Sequence, residues 1–185
     1  EVSLEKSAAL SMAGQVMNTI ATRQVAILAA DGVNGASLTS VKKSLLAEGA
    51  VVMVIAPRQG YVLSENNEEI PVDESFLTGT SVVFDAVYVP GGMNSVATLE
   101  ADPDAVHFLN EAFKHCKAIA ADTSARQVLE ATYFYKKLPA DNSEETILKE
   151  GIVISDNAED LSSKFIKAIK QHRFWQREKA RKVPA

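Results

Sequence analysis

A chain of 185 residues with 46% hydrophobic and 23% charged side chains is long enough for one domain with a full core and too short for two ordinary ones. Its net charge of −5 gives no reason to expect nucleic acid as a partner, and its single cysteine cannot close an internal disulfide. No apolar run approaches the ~20 residues that cross a bilayer and no basic, apolar and small-residue series opens the sequence, so the expectation is a soluble chain with no membrane partner and no signal peptide, its compartment left open.

Residues 1–22 scatter Val2, Leu4, Leu10, Met12, Val16, Met17 and Ile20 among small and polar residues, which predicts a linker with a short helix near Leu10 to Met17. Regular structure is expected from residue 23 to residue 171. The run Val25 to Ala30 is apolar on both faces, as a central parallel strand covered on each side would be. Asp31 to Gly35 forms a loop, Ser37 or Thr39 can cap the helix carrying Leu38, Val41, Leu45 and Leu46, and Gly49 stops it. Val51 to Ala56 is a second buried strand, so the first part of the domain reads as a right-handed βαβ unit.

Tyr61-Val62-Leu63 and Ile70-Pro71-Val72 flank the polar turn Ser64 to Glu69 and predict a small antiparallel hairpin at the sheet edge. Asp85 to Val89 is a strand stopped by Pro90-Gly91-Gly92, with Asn94 or Ser95 placed to cap a helix. Gly91 and Gly92 can adopt positive φ and turn backbone N–H groups toward a crevice at the strand ends. A helix is expected from Asp104 to Lys114, a strand over Ala118 to Ala121, and a helix from Ala125 to Ala131 entered through Asp122-Thr123-Ser124. Gly151 to Ser155 is the last strand, and Asn157 caps a helix with Leu161, Phe165, Ile166 and Ile169 on one face. Residues 172–185 form a basic, aromatic tail in which Arg173, Phe174 and Trp175 are candidate contacts to another domain or subunit. The alternation predicts a three-layer α/β/α sandwich, flavodoxin-like, with a mostly parallel sheet.

Phe84 to Gly92, the hairpin before it and the step from Ala120 to Ser124 resemble the class I glutamine amidotransferase-like superfamily, which includes PfpI-type proteases, glyoxalases and chaperones. With Asp31-Gly32, Phe113-Lys114-His115, Lys117 to Ala120 and the segment His172 to Ala185 added, the chain from Gln24 onward resembles the carboxy-terminal domain of large-subunit, haem-containing catalases. Active members of the superfamily carry a cysteine on a strand-to-helix elbow, supported by a carboxylate and often followed by histidine. The resemblance places Asp122 and Thr123 at that elbow and Asn34 at the position of the supporting Glu, beside Gly91 and Gly92, so it implies a site stripped of nucleophile, base and partner.

Asp122 then reads as a cap for the helix it opens. Ser124 lacks both glycines of a Gly-x-Ser-x-Gly elbow. Cys116 neighbours His115 but lies six residues before Asp122, roughly 20 Å away along an extended strand, at the opposite rim of the sheet. His107 and His172 lack companions at ligand spacing, so no metal is expected. Catalases of this kind ligate haem through a tyrosine with an arginine one helical turn before it; Arg126 precedes Tyr133 by seven residues, so no cofactor is expected in this segment and haem belongs to the parent protein.

What the resemblance implies is a non-catalytic domain that stabilises a peroxide-decomposing enzyme. Its partners would be the amino-terminal catalase core, the other subunits of a homotetramer and, in a chaperone-like role, unfolded client proteins. The alternative is an independent cysteine hydrolase or glyoxalase using Cys116. A nucleotide or flavin module is disfavoured, because the loop after the first strand lacks Gly-x-Gly-x-x-Gly.

Overall fold

Runs such as Val25-Ala26-Ile27-Leu28 carry apolar side chains to both faces of an extended backbone, and burying both requires a helical layer on each side. The computed structural model describes residues 17–137 and 149–179 and shows this arrangement. The strands are β1 (Gln24–Leu28), β2 (Val51–Ala56), β3 (Gly60–Leu63), β4 (Glu69–Val72), β5 (Glu74–Ser75), β6 (Ala86–Val89), β7 (Ala118–Asp122) and β8 (Ile152–Ser155). The helices are α1 (Gly35–Ala47), α2 (Met93–Ala101), α3 (Pro103–Lys114), α4 (Arg126–Glu130), α5 (Ala158–Lys170) and α6 (Gln176–Lys179).

Six strands form one sheet in the order β5-β2-β1-β6-β7-β8, and every pairing is parallel. The chain winds outward from β1 in both directions, so the strand order reverses between β1 and β6, where an open α/β sheet leaves a crevice at its carboxyl edge. Val25, Ile27, Ala86, Tyr88, Ala118 and Ala120 face α1 and α5, while Ala26, Leu28, Val87, Val89, Ile119 and Ala121 face α2, α3 and α4. The fold is thus a three-layer, flavodoxin-like α/β sandwich with a largely parallel sheet and a small antiparallel hairpin, β3–β4.

Several local expectations change. Asn34, rather than Ser37 or Thr39, caps α1, its Oδ1 accepting the Ser37 N–H at 2.9 Å. Neither Asn94 nor Ser95 caps a helix: α2 starts directly after Gly92, and the buried Ser95 hydroxyl accepts the Ala30 N–H at 3.0 Å, tying α2 to the end of β1. The sequence offered a start for α2 but no extent; it runs to Ala101 and is followed by α3, which Asp102 caps with Pro103 in its first turn. Glu74–Ser75 adds a short edge strand, and the hairpin is a separate two-stranded sheet. The helix expected at Ala125 opens as a 3-10 turn, Thr123–Ala125.

Both boundaries shift as well. Ile20, assigned to a linker, is fully buried, and the Met17 N–H bonds to Lys170 O at 2.9 Å; the helix expected from Leu10 lies, apart from Met17, outside the described residues. The domain also continues past Gln171. Phe174 is buried against Gly151, whose φ of +72° admits a residue without Cβ and whose open face the ring fills. The Phe174 N–H bonds to Cys116 O at 2.8 Å.

Lys117, just before β7, is buried, and its ammonium donates to the carbonyls of Ser81 at 2.5 Å and Val82 at 3.4 Å. Burial lowers its pKa from 10.5 to about 8. The unfolded chain therefore holds this proton more tightly, and stability is expected to rise with pH between about 8 and 10 as the folded state sheds the buried charge. The rise should be about 2 kcal/mol in urea titrations, and Lys117→Met should flatten it. A wild-type slope that persists in the variant would refute this origin.

Candidate functional site

Parallel strands bring the loops after β1, β6, β7 and β8 to one rim, where the backbone of the β6 loop meets the backbone of the β1 loop and the side chains that follow β7. Gly92 has φ +110°, and a Cβ there would lie 2.2 Å from Gly32 O and 2.6 Å from Asn34 N. Only glycine allows that approach. Gly91 O accepts the Asn34 N–H at 2.8 Å. The Gly91 φ is not positive, and its missing side chain makes room for the next loop, since a Cβ would meet Ser124 Oγ at 2.2 Å and Asp122 Oδ2 at 3.2 Å.

Asp122 ends β7 on the same face as Ala118 and Ala120, and Tyr88 in β6 pairs with Ala120. Two-residue periodicity therefore sets the phenol and the carboxylate on one side of adjacent strands. Tyr88 OH donates to Asp122 Oδ1 at 2.7 Å, and the Gly91 N–H donates to Oδ2 at 2.8 Å. Ser37 Oγ lies 2.8 Å from Tyr88 OH, and because the phenol proton is committed to Asp122, the serine donates. Burial and the neighbouring carboxylate push the Tyr88 pKa far up, which keeps the phenol a donor. Asp122 makes no side-chain capping bond to the turn it opens. The capping reading is corrected: the carboxylate reaches sideways across two strands instead of forward along the chain.

Asn34, Ala36, Ser37, Ser40, Asp122, Thr123, Ser124, Asp156 and Ala158 line a cleft of about 680 Å³ above this network. Asn34 is occupied with capping α1, at the position where the resemblance expected a catalytic carboxylate to be replaced. The cleft thus gathers hydroxyls and two carboxylates, with no imidazole, thiol or amine among its lining residues. Tyr88 and Ser37 are the members that sequence reading missed. An apolar strand hides a buried phenol, and only the β6–β7 register discloses its partner.

Cys116 is placed at the other end of β7. It sits in the left-handed position (φ +59°) that ends α3, where Lys117 N–H bonds to Ala112 O and Cys116 N–H to Phe113 O, both at 3.0 Å. Its side chain is buried, while His115 turns outward to Glu111 at 3.4 Å. Phe174 is in the core, and Arg173 lies 3.5 Å from Asp85 of the same chain, so of the three proposed contact residues these two are engaged internally; Trp175 is half-buried. Among the described residues, no group of three His, Cys, Asp or Glu side chains could hold a metal ion, and no helix is long and apolar enough to cross a membrane.

Comparison with known proteins places this geometry in context. The sequence model of one family, described as the C-terminal domain found in long catalases, matches residues 21–179. Catalase HPII of Mycobacterium avium is 38% identical over 178 residues, covering 92% of this chain and 25% of the relative. Catalase HPII of Pseudomonas aeruginosa is 37% identical over 180 residues, covering 97% and 24%. Catalase-2 of Bacillus subtilis is 34% identical over 174 residues, covering 92% and 23%. The chain spans about a quarter of the length of these relatives. Among solved structures, a two-domain protein from Anabaena variabilis with DJ-1/ThiJ/PfpI-like and ferritin-like domains matches with a TM-score of 0.56 and 27% identity, covering 59% of this chain and 33% of that one.

Proposed function

Because this chain belongs to the family of C-terminal domains found in long catalases, we propose that it is a non-catalytic domain that stabilises a haem enzyme decomposing hydrogen peroxide. The observation that carries this reading is the commitment of Asp122. A nucleophile needs a free electron pair aimed at substrate and a partner to move protons. Both Asp122 oxygens already accept strong donors, and one of these is the Gly91 N–H, the kind of backbone donor that would otherwise stabilise an oxyanion.

The residues present do not fit haem. Tyr88 is held by Asp122, Tyr135 is buried in the core layer on the other face of the sheet, and the cleft's lining residues include no tyrosine, histidine or cysteine that could ligate iron. Haem and the peroxide chemistry are assigned to the larger remainder of the parent enzyme, with that core and the other subunits of a homotetramer as this domain's partners. The cysteine hydrolase alternative loses its geometric basis, because the Cys116 thiol is buried at the far end of β7 from the cleft.

Removing the domain from the parent enzyme should leave turnover per haem within about twofold while thermal inactivation and aggregation begin at a temperature several degrees lower, by about 4 °C for each kcal/mol lost. Loss of turnover at unchanged thermal stability would refute a stabilising role.

A further inference from the structure

Resting on the reading of this chain as an accessory domain of a long catalase, we propose that it docks on the preceding catalase body through the rim formed by the amino-terminal ends of its strands, so that the cleft faces away from that body. The polypeptide reaches the sheet at this rim. Thr22 N–H bonds to Gly49 O and Val51 N–H to Arg23 O, both at 2.8 Å, and Asp85 N–H bonds to Gln24 O at 2.7 Å. In a protein whose C-terminal quarter is this domain, the remaining three quarters are tethered at that point.

Exposed apolar side chains concentrate in the same place. Nine large ones are exposed among the described residues, and five of them, Met17, Leu46, Val51, Val82 and Val83, surround the arrival of the chain. Met17 bonds to the end of α5, Leu46 is at the end of α1, Val51 begins β2, and Val82 and Val83 directly precede β6. The other four are spread over the hairpin, the segment after β5, the start of α2 and the turn that follows α4.

Val82 is 69% and Val83 50% exposed, in a nine-residue stretch from Phe76 to Phe84 that carries no charge. Clustered exposure of this kind marks a contact surface. The turn bearing the two valines is fixed from beneath by the buried Lys117 ammonium on Ser81 O and Val82 O, so the patch is presented rigidly.

At this rim two arginines share one carboxylate, with a histidine whose burial lowers its pKa beside them. Arg23, Arg173 and His172 approach a single carboxylate oxygen, Asp85 Oδ1, at 3.3, 3.5 and 3.8 Å. A complementary surface on the catalase body is apolar and places a carboxylate opposite Arg23 and Arg173.

Met17 and Met93 provide the test, because one lies on each rim and both are exposed. The intact parent enzyme would be footprinted with hydroxyl radicals from radiolysis, since a catalase consumes added peroxide, and each rate would be normalised to the unfolded protein. Docking through the proposed rim predicts Met17 oxidation slowed at least about tenfold relative to Met93. Equal reactivity would mean a domain merely tethered, and protection of Met93 alone would mean docking by the cleft side; either overturns the proposal. The haem content and turnover of the same sample report separately on whether the parent is a catalase at all. As a second arm, Val82→Glu with Val83→Glu in the parent should speed proteolytic release of the domain about tenfold, whereas Met93→Glu should not, and unchanged release in both variants would overturn the proposal.

Discussion

Phe174→Ala is expected to destabilise the folded chain by about 3–5 kcal/mol, the range for emptying a buried phenylalanine site. The ring is 3% exposed and rests on the bare backbone of Gly151, where a Cβ would come within 2.3 Å of it. Its other side is covered by Arg177, whose guanidinium lies 5.2 Å from the Phe174 centroid and 4.2 Å from that of Phe113. Arg177 Nη1 donates to Lys117 O at 2.8 Å and Nη2 donates to Glu150 O, so the buried cation ties the end of α3, the start of β7 and the approach to β8 to the terminal segment. Removing the ring opens a cavity and admits water to these charge-assisted bonds. Trp175→Ala, at a half-buried position, should cost about 1 kcal/mol. Chemical unfolding of both variants decides the matter: equal, small losses would mean that the segment packs elsewhere.

Asp122→Ala should cost about 3 kcal/mol, because it strands two buried donors, Tyr88 OH and the Gly91 N–H. Asp122→Asn should cost only about 1 kcal/mol. Its Oδ1 can take the place of Oδ2 and accept from Gly91, its amide can donate to the phenol oxygen, and the Tyr88 proton can then turn to Ser37 Oγ, which lies 2.8 Å away. The reversal is possible because hydroxyls both donate and accept. Equal costs for the two substitutions in guanidinium unfolding would show that the network does not rearrange this way.

The sheet was readable from the chain because parallel strands buried on both faces leave unbroken apolar runs, as at Val25 to Leu28 and Val51 to Ala56. The Pro-Gly-Gly turn also announced the crevice. For helix α2 only a start was anticipated, at Asn94 or Ser95, and neither its true start nor its extent, because Met-Asn-Ser-Val-Ala-Thr-Leu-Glu-Ala has a weak apolar stripe and follows a glycine without a side-chain cap. β5 is two residues long, too short for any pattern.

The terminal segment misled for a different reason. Arg173, Arg177 and the aromatics beside them have the composition of a solvated contact surface, yet Arg177 is buried on carbonyls from residues 113, 117 and 150, partners that no local window contains. Asp122 is similar. Local rules make a carboxylate before a helical turn a cap, and only the register that brings Tyr88 alongside, together with the close approach of Gly91, turns it aside.

The most direct measurement places Asp122→Ala and Asp122→Asn in the parent enzyme and follows peroxide turnover per haem beside thermal unfolding of the domain. A carboxylate that only holds two strands and a turn together leaves turnover within about twofold in both variants, while unfolding temperature falls in the alanine variant far more than in the asparagine one. Turnover lost in the asparagine variant at an unchanged unfolding temperature would mean that the charge itself takes part in chemistry.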